Sequence, residues 1–244
     1  MINRLKPFIP RRVRRLYRKC ISPVIRDNYY YEYSARETFF RQALMALTFN
    51  GIDGDYLEFG CCGGVTFTLA HRYLKKYHCN GHMWAFDSFC GLPPKHLAED
   101  NHPQWTEGAF SIELEEFKRI CKENGIHENE YSLIVGFYED TLGGTSARDL
   151  PMNICMAYID CDMYSSAKAV LSFLVQRLKH GMIIAFDDYY CWSATQPSGE
   201  RKACAEYFRN NEEWALVPYI QFGMGGMSFV VESKRLNGTT GANF

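Results

Sequence analysis

The segment Asn153–Asp162, NICMAYIDCD, is an apolar run that stops abruptly at two carboxylates, Asp160 and Asp162, with Cys161 between them. A run of this length bounded by polar residues suits a strand buried on both faces, as in a parallel sheet. A second run, Gly181–Tyr190 (GMIIAFDDYY), repeats the design and ends in Asp187 and Asp188. Between them, Tyr164–Lys179 places Ala167, Val170, Leu171, Leu174, Val175 and Leu178 on one helical face. Strand, helix and strand in this order predict a parallel pair that carries four acids to one carboxyl edge. Ligands of open α/β sheets bind at that edge. Four crowded carboxylates repel one another unless a positive charge sits among them, and a hard divalent cation is the economical choice.

Outward from this unit the pattern continues. Asp55–Gly64, DYLEFGCCGG, predicts a strand over Tyr56–Phe59, a glycine-rich turn and a helix over Val65–Lys76. Glycine permits tight turning and close ligand approach, and the helix start offers free N–H groups. The turn lacks the middle glycine of the dinucleotide fingerprint, so alone it is unspecific. The next strand, His82–Asp87, ends in an acid suited to ribose hydroxyls. Residues 88–110 form a long aperiodic loop, expected to act as a lid, with His96, His102, Trp105 and Glu107 as candidate contacts. A helix over Ile112–Asn124 and a strand over Tyr131–Val135 follow, then Gly136, Phe137 and Tyr138. Gly199–Arg209 reads as helix, and Trp214–Tyr219 with Met227–Glu232 as an antiparallel pair. The sum is one α/β domain of seven strands, mostly parallel, with helices on both faces and an antiparallel C-terminal strand.

Bulk properties bound the reading further. The 244 residues are 47% hydrophobic and 23% charged, which suits one domain with a full core. The net charge of −1 hides an asymmetry: residues 1–26 hold nine Lys or Arg and no acid, leaving 18 basic against 28 acidic residues elsewhere. Within that arm, residues 10–21 are spaced as a short basic amphipathic helix. It is read either as packed on its own domain or as docking on an anionic membrane surface or acidic partner. No stretch approaches a membrane span, and no apolar segment behind the basic start resembles a secretory signal. A cytoplasmic protein, with peripheral membrane contact as an open alternative, is expected. Ten cysteines without CxxC pairing fit reduced thiols rather than a disulfide frame. The division expected is an arm with an aromatic patch over 1–33, in which Asp27–Tyr33 (DNYYYEY) lines a pocket or covers the core. A single domain over 34–244 follows, opened by a helix over Ala35–Phe49 that Ser34 and Glu37 cap.

Five motifs in order carry a family resemblance: E-F-G-x-x-x-G (Glu58–Gly64), F-D-S-F-x-G-L-P (Phe86–Pro93), E-D-T-L (Glu139–Leu142), I-D-x-D-x-Y (Ile159–Tyr164) and D-D-Y (Asp187–Tyr189). Together they resemble the macrocin and mycinamicin O-methyltransferases, Rossmann-like class I enzymes that methylate sugar hydroxyls with S-adenosylmethionine and Mg²⁺. The resemblance implies metal ligation by Asp160, Asp187 and Asp188, and a general base at Asp162. It implies cofactor binding by Glu58, Gly60, Gly64, Asp87 and Ser88, with Gly136, Phe137 and Tyr138 near the adenine. The acceptor implied is a sugar of a glycoside or glycan. A catechol-type small-molecule methyltransferase shares the metal logic, and a non-catalytic nucleotide-binding adaptor docking through the arm is the reading from another class. Cys61–Cys62 is an unusual filling of the glycine turn, and the basic arm lies outside the shared motifs. Nucleic acid is weakly supported, since aromatics barely interleave with the arm; a homo-oligomer is left open.

Overall fold

The computed structural model describes residues 23–143 and 150–237. The amphipathic segment 10–21 lies outside the described residues. Seven strands form one sheet in the order β3-β2-β1-β4-β5-β7-β6. They span Asp55–Phe59 (β1), Met83–Asp87 (β2), Tyr131–Val135 (β3), Ile154–Ile159 (β4), Ile183–Phe186 (β5), Trp214–Phe222 (β6) and Gly226–Ser233 (β7). Strands β1 to β5 pair in parallel, and β7 runs antiparallel to both β5 and β6. The order reverses between β1 and β4, the topological switch point at which α/β sheets open a crevice.

The helices are α1 (Pro23–Phe49), α2 (Val65–Lys76), α3 (Leu114–Glu123), a short α4 (Tyr138–Thr141), α5 (Tyr164–Leu174), α6 (Gly199–Phe208) and a terminal turn α7 (Lys234–Asn237). Strand alternation splits the core in two. Tyr56, Met83, Ala85, Met156 and Tyr158 face α1, α2 and α3 through Phe39, Phe40, Leu44, Phe67 and Phe117. Leu57, Phe59, Phe86, Ala157 and Ile159 face α5 and α6 through Val170, Leu171, Phe173 and Ala203. Every residue of β4 and β5 is buried, as expected of double-faced strands.

Two expectations are corrected. The first helix does not start at Ala35: α1 begins at Pro23, and the Ser34 hydroxyl donates to the Tyr31 carbonyl inside it rather than capping an end. Local capping chemistry at Ser34 is real, but burial of the α1 face farther along recruits the aromatic segment into the same helix. Within the aromatic patch Tyr33 packs against the core, as one reading expected, whereas Tyr29, Tyr30 and Tyr31 are exposed. The helix after β4 ends at Leu174, with a 3₁₀ turn over Val175–Arg177, so Lys179 and His180 lie beyond it. His180 accepts the Ser233 backbone N–H at 3.2 Å.

Candidate active site

A cavity of about 560 Å³ opens at the carboxyl ends of β1, β2, β4 and β5. Its walls bring together ten of the twelve expected site residues. Gly60, Asp87, Ser88, Gly136, Phe137 and Tyr138 lie along one flank, and Asp160, Asp162, Asp187 and Asp188 form the floor. Glu58 and Gly64 do not line the cavity.

The flank formed by β1 and β2 is built on backbone. Gly60 has φ +94°, and a Cβ there would lie 1.8 Å from the Asp160 carbonyl oxygen, so the turn after β1 packs directly on the turn after β4. Asp87 closes the turn: its Oδ2 accepts the Cys61 N–H and its Oδ1 the Phe89 N–H, both at 2.6 Å. Burial raises its pKa while these two amides oppose the rise. Each of these oxygens retains further acceptor capacity. The Ser88 hydroxyl donates to the Gly91 carbonyl at 2.8 Å and accepts the Cys90 N–H at 3.2 Å. Alternation points Glu58 away, with Tyr56, toward α2. There its carboxyl accepts from the Tyr56 hydroxyl and from Thr66 Oγ1 at 2.8 Å. Fully buried, it is pushed up to about 8, chiefly by desolvation. It supports the glycine turn from behind.

The acidic floor is denser than the sequence indicated. Asp160, Asp162 and Asp188 are joined by Glu200, fully buried at the start of α6. Desolvation first, and the neighbouring acids second, raise the pKa of all four. Asp162 sits at φ +61°, the left-handed region that Asp and Asn tolerate best among residues with a side chain. It does not cap α5; Asp100 from the 88–110 loop does so, accepting the Ser165 N–H at 3.0 Å.

The positive charge that so many crowded acids require is partly supplied by the protein itself. Arg36 on α1 reaches Asp187 with both ends of its fork, Nε to Oδ1 at 2.9 Å and Nη2 to Oδ2 at 2.5 Å. The Tyr158 hydroxyl also donates to Asp187 Oδ1. Desolvation works against the Arg36 charge, and Asp187 and Tyr158 outweigh it, so its pKa rises. Glu32, paired with Arg36 at 2.5 Å, accepts the Met224 N–H at 3.0 Å and fixes α1 to the β6–β7 turn. Nothing in the sequence linked Arg36 to an aspartate 151 residues away.

Among the described residues, no three His, Cys, Asp or Glu side chains converge closely enough to hold a metal ion as placed. The donor chemistry nevertheless fits a hard cation: the cluster is all oxygen, five acids face one arginine, and Asp187 Oδ2 retains an unused lone pair.

The 88–110 loop closes on itself, with the Leu92 N–H donating to the Ala109 carbonyl at 3.0 Å and the Gly108 N–H to the Leu92 carbonyl at 2.9 Å. His102 and Trp105, rings 4.4 Å apart, line the cavity, whereas His96 and Glu107 do not. Tyr190, Trp192 and Met224 also line the cavity. Trp192 and Met224 are 61% and 75% exposed. Neither was singled out from sequence, where no periodicity marks them.

The macrocin O-methyltransferase (TylF) family model matches residues 33–214. The O-methyltransferase NovP superposes with a TM-score of 0.65 at 22% identity, covering 80% of this chain and 79% of that one. The calicheamicin methyltransferase CalS11 gives 0.59 at 19% identity, covering 94% and 83%. At these identities the two structures establish the fold, a class I methyltransferase sheet. A curated relative from Streptomyces olivaceus, 8-demethyl-8-(2,3-dimethoxy-α-L-rhamnosyl)-tetracenomycin-C 4′-O-methyltransferase, is 26% identical over 148 residues. The match covers 57% of this chain and 54% of the relative, so the chain spans about half the length of that protein. With a family model spanning residues 33–214, most of the chain, this protein belongs to the macrocin O-methyltransferase (TylF) family.

Proposed function

We propose that this protein transfers the methyl group of S-adenosylmethionine to a sugar hydroxyl of a glycoside or glycan, with Mg²⁺ at the acidic floor. One observation carries the reading: a single cavity at the β1/β4 switch faces a glycine-built flank with Asp87 toward a cluster of aspartates. The sugar acceptor is supported by family membership and by the rhamnosyl substrate in the name of the Streptomyces olivaceus relative.

In this reading Gly60, Asp87 and Ser88 hold the methionine and ribose parts of the donor, and Gly136, Phe137 and Tyr138 flank its adenine. Glu58 and Gly64 act indirectly, by shaping the turn. Methyl transfer from a sulfonium is an in-line displacement, so holding the acceptor oxygen opposite the methyl is the main task, contributing on the order of 7–11 kcal/mol. Asp162 takes the hydroxyl proton; it stands on the cavity floor and is spared from ligation by the roles of its neighbours. Mg²⁺ held by Asp160, Asp187 and Asp188 would offset the negative charge that develops on the acceptor oxygen. The 88–110 loop, pinned to α5 through Asp100, would cover the acceptor as a lid, with His102 and Trp105 on its inner side.

Arg36 favours a second reading, in which the guanidinium is the permanent cation and no metal is needed. Calorimetric titration with S-adenosylmethionine, with and without Mg²⁺, separates the two. Donor binding at micromolar concentrations and an Mg²⁺ isotherm abolished by Asp160→Asn are expected. No donor binding at millimolar concentration refutes the methyltransferase reading. Methyl transfer unchanged in EDTA refutes the metal and leaves Arg36 in its place.

A further inference from the structure

The two turns that carry the aspartates come from different strands, β4 and β5, and their separation decides whether the cluster can work as one site. Glu200 touches both. Its Oε1 accepts the Cys161 backbone N–H at 3.1 Å, between Asp160 and Asp162, and its Oε2 accepts the Asp188 N–H at 2.9 Å. The side chain is fully buried, at the second residue of α6. The helix start is wedged in place around it. The Ser198 hydroxyl donates to the Asp188 carbonyl at 2.6 Å, and a Cβ on Gly199 would lie 2.6 Å from the Tyr164 nitrogen.

We propose that Glu200 is a positioning residue that fixes the spacing between the Asp160–Asp162 turn and the Asp187–Asp188 turn by bridging their backbone amides. This rests on the function proposed above. Two N–H donors pointing at one side chain need two acceptor oxygens at a fixed span, which only a carboxylate supplies. Glutamine would set an NH₂ group against one of the amides. Aspartate, one carbon shorter, would reach one amide at best. A simpler role, a negative charge complementing the amino end of α6, would need neither the length nor the second oxygen, and the shorter acid would serve it equally well.

The experiment compares wild type, Glu200→Gln and Glu200→Asp by Mg²⁺ calorimetry, S-adenosylmethionine calorimetry and turnover. Glu206→Gln is the control: it neutralises an acid on the same helix that accepts the Tyr164 hydroxyl at 2.6 Å and bonds neither turn amide. Both Glu200 variants are expected to lose about 10–100-fold in Mg²⁺ affinity, with a lower kcat at saturating Mg²⁺ and a donor Kd within about twofold of wild type. The Glu206 variant should match wild type in all three. Wild-type Mg²⁺ affinity and kcat in Glu200→Asp would overturn the proposal, whatever the change in melting temperature. Should Glu200→Gln not fold, the Asp variant alone decides. If wild type binds no Mg²⁺, the metal half of the proposed function fails. The brace then stands or falls on kcat, lowered in Glu200→Asp and unchanged in Glu206→Gln.

Discussion

Replacing Arg36 by methionine tests how the acidic floor is balanced. Methionine keeps much of the aliphatic bulk and removes the only cation bonded to Asp187 among the described residues. Asp187 would keep the Tyr158 hydroxyl and face Asp160 and Asp188 without compensation. Removing one partner of a buried ion pair costs about 3–5 kcal/mol. The Arg36 and Asp187 side chains are 20% and 9% exposed, which places the expected loss at the lower end, about 3 kcal/mol. For a chain of 244 residues that is a fall in Tm of about 6–12 °C. Urea denaturation followed by circular dichroism, in EDTA and in Mg²⁺, gives both terms. A cation that binds only the folded protein adds about 2.7 kcal/mol at a hundredfold excess over Kd, and the variant should gain at least as much as wild type. Arg72→Met is the comparison, since its pair with Glu37 is half exposed and should contribute less than about 1 kcal/mol. A loss below about 1 kcal/mol for Arg36→Met would refute the view that Asp187 needs a cation.

Asp162→Asn should lower kcat by about 10²- to 10⁴-fold with little change in Tm, because asparagine tolerates the left-handed backbone at φ +61°; retention of wild-type kcat would remove Asp162 as the base. Asp162→Ala should show the same kinetic loss and a further destabilisation of about 1 kcal/mol, seen in parallel melts. Gly60→Ala should destabilise by about 3 kcal/mol and abolish donor binding by calorimetry, since its Cβ would collide with the Asp160 carbonyl. Glu58 sets a pH dependence. Its folded pKa, about 8, exceeds the ordinary value of 4.5, so the folded state binds the extra proton. Its contribution is therefore fully present below about pH 4.5 and is lost as pH rises toward about 8, by up to about 1.4 kcal/mol per unit. Glu58→Gln should flatten that part of the stability–pH curve, and an unchanged slope would show that Glu58 stays ionised.

Much of the candidate site was legible because period and punctuation are local properties. Apolar runs ending in acids marked β4 and β5, and their placement at one edge follows from the handedness of strand–helix–strand units. The glycine turn showed itself by composition, although its contact with the Asp160 carbonyl did not. Glu58 illustrates the limit. The motif named it beside Gly60, but two-residue alternation in β1 turns its side chain with Tyr56 toward α2, behind the turn. The start of α1 was misplaced for a related reason, as Ser34 carries a local capping signature that long-range burial of the helix overrides.

The sequence by itself determined the class of fold, the seven strands, the four aspartates at one edge and the family to which the chain belongs. These depend on hydrophobic period, turn residues and motif order, which are written along the chain. Tertiary structure alone decided how the charges at that edge are balanced. Arg36 reaches Asp187 across 151 residues, and Glu200 bonds two turns from a helix that follows both. No local pattern encodes such partners, because each is chosen by the packing of whole elements around the sheet.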